Sequence, residues 1–127
     1  MKNLLAACLL LASLSASAQT WTRYAQTDEA TIYFDHLRTR KIGDVAFVWD
    51  LHDLSAPLTQ ADGKLFRSAL YAVEYNCRAK KRRMLSVLRH AENMGKGSVI
   101  AEEIQASEWT EVKPDSLASA LFDRVCE

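Results

Sequence analysis

The sequence predicts an α+β fold, an antiparallel β-sheet of about five or six strands with one C-terminal α-helix packed on it and pinned by a disulfide. Three observations carry that prediction. Apolar residues recur with a period of two through most of the chain, and the period changes to helical spacing after Pro114. Two cysteines outside the N-terminal leader, Cys77 and Cys126, each end an apolar stripe, one on a strand and one on the helix.

The leader comes first. Lys2 is a short basic start, residues 4–12 are an apolar core, and Ala16-Ser17-Ala18 is a small-x-small cleavage pattern, so residues 1–18 read as a signal peptide. The apolar run is shorter than the ~20 residues that span a bilayer, so no transmembrane anchor is expected after cleavage. Leu5-Ala6-Ala7-Cys8 spells a lipobox, but the few residues before Cys8 cannot form a working signal core, and the match is read as accidental. Cleavage removes one of the 16 basic groups and none of the 16 acidic ones, leaving a mature domain, 19–127, with a net charge of −1. It also removes one of the 3 cysteines. An even pair in an exported chain reads as a Cys77–Cys126 disulfide, because the periplasm and exterior are oxidising.

In chain order, Trp21 to Gln26 pairs with Thr31 to Asp35 across the turn Thr27-Asp28-Glu29-Ala30. Arg38 to Ile42 leads as an edge, through Gly43-Asp44, into the clearest strand. That strand is Val45 to Leu51, with Val45, Phe47, Trp49 and Leu51 on one face and Ala46, Val48, Asp50 and His52 on the other. Ser55 to Gly63, with Pro57 and Asp62-Gly63, reads as a loop. Phe66 to Arg78 follows as a strand with Ala69, Tyr71, Val73, Tyr75 and Cys77 on one row. Met84 to Ala91 is the next strand, and Gly95-Lys96-Gly97-Ser98 turns the chain into Val99 to Ile104. Trp109 to Val112 is either a short strand or an extended approach to the helix. Pro114-Asp115-Ser116 offers capping oxygens, after which Leu117, Leu121 and Val125, widened by Ala118, Phe122 and Cys126, form the helical stripe.

Composition narrows the function classes. With 49% hydrophobic and 25% charged residues the chain is a folded domain, and 4 Gly and 2 Pro exclude collagenous or low-complexity structure. Zero formal charge argues against nucleic acid as a partner. No Gly-x-Ser-x-Gly elbow or phosphate loop is present, and with the cysteines bridged no thiol nucleophile remains. His36, His52 and His90 lie far apart in sequence. Asp50 and His52 share a strand face and come nearest to a catalytic or metal pair, which a solvated strand surface explains equally well. The expectation is therefore no enzyme, no cofactor and no metal. One charge feature stands out: Arg78, Lys80, Lys81, Arg82 and Arg83, placed at a hairpin tip where they would meet acidic protein surfaces or acidic glycans. A solvated turn that guards the strand edges is the competing account. The open edge of such a sheet also makes a homodimer an expected partner state.

Trp21, Ile32-Tyr33-Phe34-Asp35, Val45 through Leu51, Glu74-Tyr75-Asn76-Cys77 with its basic follow-on, Trp109 through Ser116, and Val125-Cys126 occur in an order that resembles the surface-adhesin protein E family of Gram-negative bacteria. The resemblance implies an antiparallel sheet tied to a C-terminal helix by Cys77 and Cys126. It also implies an exported, non-enzymatic binding domain for host extracellular-matrix or serum proteins, in the periplasm, at the cell surface or secreted. The alternative is a periplasmic structural or accessory protein of the envelope that shares the fold without an adhesive role.

Overall fold

Residues 20–127 are described by the computed structural model; the expected signal peptide, 1–18, lies outside the described residues. The strands are β1 (Trp21–Gln26), β2 (Ala30–Asp35), β3 (Arg40–Ile42), β4 (Val45–Thr59), β5 (Leu65–Asn76), β6 (Lys81–His90), β7 (Val99–Ile104) and β8 (Thr110–Glu111), followed by helix α1 (Leu117–Val125). They form one antiparallel sheet ordered β1-β2-β4-β5-β6-β7, with β3 on β4 and β8 on β6. The class agrees with the sequence expectation, and the 8 strands exceed the five or six expected because β3 and β8 are short additions to long neighbours.

Two strand boundaries correct the sequence reading. Ser55 to Thr59, expected as loop, continues β4: its pairing to β5 breaks after Asp53 and resumes at Leu58 opposite Phe66. Pro57 falls within that break, where its missing N–H costs no ladder bond. The β6 strand starts at Lys81, not Met84, since Asn76 pairs Lys81 and Glu74 pairs Arg83 across a turn at residues 77–80.

Directly paired residues share a face, which sorts the sheet. Phe34, Ala46, Val48, Val73 and Tyr75 meet Leu121 and Val125 of α1 in the core. Tyr75 and Phe122 pack edge to face with centroids 6.0 Å apart. Ser116 caps α1, accepting from the Ser119 N–H, while the Ser119 hydroxyl accepts from the Ser116 N–H, satisfying two donors. Past the last turn, Cys126 is bonded to Cys77, the first residue of the turn after β5 and not part of the strand as expected, with Cα atoms 5.4 Å apart.

Among the described residues, the opposite face is covered at one end only. Residues 92–95 fold over Leu51 and are tied to buried Ser68, whose hydroxyl donates to the Glu92 carbonyl (2.6 Å) and accepts from the Gly95 N–H (2.9 Å). Asp53 accepts from the Met94 N–H and the Asn93 side-chain amide. Gly95 has φ +68°, the left-handed region that glycine adopts without steric cost. At the other end Val45, Phe47 and Trp49 stay partly open.

The bridge spans 49 residues of sequence, a loop whose closure removes about 4 kcal/mol of unfolded-state freedom in the chain-entropy account. Urea unfolding of the Cys77→Ser/Cys126→Ser variant should therefore show stability lower by about that amount; a loss below about 1 kcal/mol would contradict it.

Candidate functional site

The basic run does not act as one cluster, because alternation along β6 sends neighbouring side chains to opposite faces. Arg78, Lys80 and Lys81 are exposed at the hairpin end, and none of them has an ion pair or side-chain hydrogen bond among the described residues. The turn that presents them is fixed locally. The Asn76 side-chain oxygen accepts from the Ala79 N–H (2.9 Å), Lys80 takes a left-handed backbone (φ 54°), and its carbonyl accepts from the Val112 N–H. The other two cations are spent on the fold. Arg82 turns to the helix side, its guanidinium 5.9 Å from the centre of the Tyr75 ring. Arg83 turns to the far side, bridges Glu74 (2.8 Å) and lies 4.6 Å over Trp109.

Asp50 and His52 do share a face, as expected, but it is not a solvated surface. Asp50 is buried on the helix side, accepts a hydrogen bond from the Tyr24 hydroxyl (2.7 Å) and lies 3.4 Å from His52 Nε2. Burial, then the Asp50 charge, pushes the Tyr24 hydroxyl far above its ordinary value. A phenol in that state keeps its proton and acts as a donor, so the group ties β1 to β4. The His52 ring packs on Tyr71 at 4.7 Å and lines an open groove of ≈ 400 Å³ with Ile32, Phe66 and Arg89 beside Leu117 of α1. Among the described residues, no group of three His, Cys, Asp or Glu side chains is placed to hold a metal ion.

The uncovered end of the far face holds a feature that sequence reasoning did not single out. Arg38, Arg40, Ile42, Val45, Phe47, Trp49 and Glu74 line an open concavity of ≈ 690 Å³. One transverse row, Arg40 on β3, Phe47 on β4, Glu74 on β5 and Arg83 on β6, is set by pairing alone. Phe47 and Trp49 stand perpendicular (89°) with centroids 5.4 Å apart. Arg38 lies 5.7 Å over the Trp49 ring while its Nε donates to Asp35 (2.6 Å). Burial alone would raise the pKa of Asp35, but hydrogen bonds from Thr20 and Arg38 and the Arg38 charge hold it below its ordinary value. The signal available in the sequence was the Val45, Phe47, Trp49 alternation, which shows a shared face but not that the helix takes the other one.

Residues 21–127 match the family model for surface-adhesin protein E. The fold is similar to the structure of Haemophilus influenzae protein E, with a TM-score of 0.69 and 16% identity over 84% of this chain and 83% of that one. A second crystal form of that protein gives 0.70 and 15% over 84% and 87%. Protein E from non-typeable Haemophilus influenzae gives 0.69 and 14% over 88% and 78%. At such identities the likeness is one of fold. No curated protein sequence matches the chain significantly. No helix among the described residues is long and apolar enough to cross a membrane.

Two outcomes follow from the buried hydroxyls. Tyr24→Phe strips the buried Asp50 oxygen of its donor and should lower stability by about 1–3 kcal/mol in urea unfolding, whereas an unchanged midpoint would contradict the role given to that bond. Burial, opposed by Arg82, pushes the Tyr75 hydroxyl from 10.0 up to about 12. A folded-state value above the unfolded one stabilises the protein fully below pH 10.0, and the contribution is lost as pH climbs through about 12. Tyr75→Phe should therefore flatten the alkaline fall in stability over that window, and an identical pH profile would refute the assignment.

Proposed function

The chain belongs to the surface-adhesin protein E family, and on that footing we propose that its mature domain is an exported, non-enzymatic adhesive module that binds host extracellular-matrix or serum proteins. Export is assigned to residues 1–18. The observation that carries the reading is the sorting of the basic run. Arg78, Lys80 and Lys81 stand exposed on one hairpin end, without an ion pair among the described residues, beside the Cys77–Cys126 bond that ties this end of the sheet to the helix.

Such a corner suits an acidic partner. Arginine offers a planar fork to carboxylate or sulfate, lysine a compact charge, and the bond beside them limits the freedom lost on contact. Attraction between exposed charges is screened by salt over about 8–10 Å, so binding by this corner must weaken as ionic strength rises. Arg82 and Arg83 support the reading indirectly, by holding β6 against Tyr75, Glu74 and Trp109. The acidic surface bound is that of a protein, or of the acidic glycan it carries.

Binding to a panel of immobilised extracellular-matrix proteins tests this. Arg78→Ser/Lys80→Ser/Lys81→Ser should weaken binding about tenfold, equivalent to about 1.4 kcal/mol, and flatten its salt dependence. Unchanged affinity and salt slope would remove the corner from the account. Protease applied to intact cells should cut the displayed protein, and complete protection would favour the periplasmic accessory role instead.

A further inference from the structure

We propose that the uncovered end of the far sheet face is a second binding site, independent of the hairpin corner, and that it takes a short stretch of an acidic sugar chain bearing carboxylate groups. The fold leaves this surface unused. Helix α1 occupies the opposite face, and residues 92–95 reach only as far as Leu51. What remains is apolar and open: Ile42 is 81% exposed, and Val45, Phe47 and Trp49 are only partly buried beside it. A contiguous apolar patch rimmed by charged groups marks a contact site more often than scattered surface hydrophobics do.

The shape of the floor selects among ligands. The Phe47 and Trp49 rings are perpendicular, so they cannot sandwich a flat aromatic molecule between parallel faces. They form a corner whose electron-rich ring faces suit the weakly positive C–H face of a sugar ring, the same quadrupole that orients aromatic pairs. An added peptide strand would need an open backbone edge, and β3 offers only 3 residues of it. The volume, ≈ 690 Å³, lies within the roughly 300–1,000 Å³ of ligand sites. Its open form suits a chain that continues beyond it.

The rim selects the charge. A sugar presents hydroxyls that both donate and accept, and the rim supplies both partners. Arg38 and Arg40 donate. Glu74 uses one oxygen, Oε1, for both of its Arg83 contacts, which leaves Oε2 to accept from a hydroxyl. Asp35 offsets the charge of Arg38, and Arg83 offsets that of Glu74. Arg40 is exposed and has no ion pair among the described residues, so the groove carries one uncompensated positive charge above an aromatic floor. A carboxylate on the ring that stacks there meets the Arg40 fork. Neutral sugars lack that contact.

Titration of the folded, disulfide-intact domain with a hyaluronan hexasaccharide, followed by the indole N–H resonance of Trp49, tests the proposal. A saturable shift of that resonance is expected. Arg40→Gln, at an exposed residue whose change leaves the fold intact, should weaken binding about tenfold, the effect of losing one charge-assisted contact. Arg78→Ser/Lys80→Ser should leave it within about twofold, which keeps this site distinct from the hairpin corner. Cellohexaose, neutral and of the same length, should bind at least about tenfold more weakly. The proposal is overturned if hyaluronan causes no saturable shift at millimolar concentration, if Arg40→Gln binds as tightly as the parent, or if cellohexaose binds equally. Loss of binding in the Arg78→Ser/Lys80→Ser variant would move the sugar to the corner, and a shift produced by hexaglutamate but not by hyaluronan would make the partner an acidic peptide; either result overturns the assignment.

Discussion

A nine-residue helix is too short to persist in water through its own hydrogen bonds, so α1 exists because of what holds it to the sheet. Two things do: the apolar contact of Leu121, Val125 and Phe122 with Tyr75, Val73 and Ala46, and the Cys77–Cys126 bond just past its last turn. The capping pair at Ser116 and Ser119 fixes the other end. The helix thus lies under constraint at both ends, and the core beneath it is complete only while it stays there.

That single docking decides the roles of the remaining surfaces. Once α1 takes one face, period-two alternation delivers Val45, Phe47 and Trp49 to the other, and the same rule splits Arg82 from Arg83. The bonded cysteine also opens the β5–β6 turn, so the exposed cations stand next to the most constrained point of the chain. The hairpin corner and the aromatic concavity are therefore both by-products of how the core is closed, the first on a hydrogen-bonded turn and the second mainly on strands.

Much of this was legible in the residues. The Val45 to Leu51 alternation, the Cys77 row and the stripe Leu117, Leu121, Val125 carry their periods openly, and the cysteine pairing follows from export and count. Three features were hidden, for separate reasons. Pro57 and Asp62-Gly63 advertise a loop, and nothing local reveals that β4 resumes pairing at Leu58 after a break. The segment at residues 92–95 is fixed by the side chains of Ser68 and Asp53, more than twenty residues away, so the sequence showed only the turn at Gly95-Lys96-Gly97-Ser98. The run from Arg78 to Arg83 looks like one patch in one dimension, and only the register opposite Glu74 and Tyr75 shows that it straddles a strand start. For the concavity, alternation revealed a shared face, while its openness depends on which side the helix covers.

The central claim is that the bond between Cys77 and Cys126 keeps α1 on the sheet. Amide hydrogen exchange of the same protein, oxidised and then reduced, reads this directly. The account predicts that reduction speeds exchange throughout Leu117–Val125 while the paired amides of β4 and β5 remain the slowest in the molecule. Helix amides equally protected with and without the bond would contradict it.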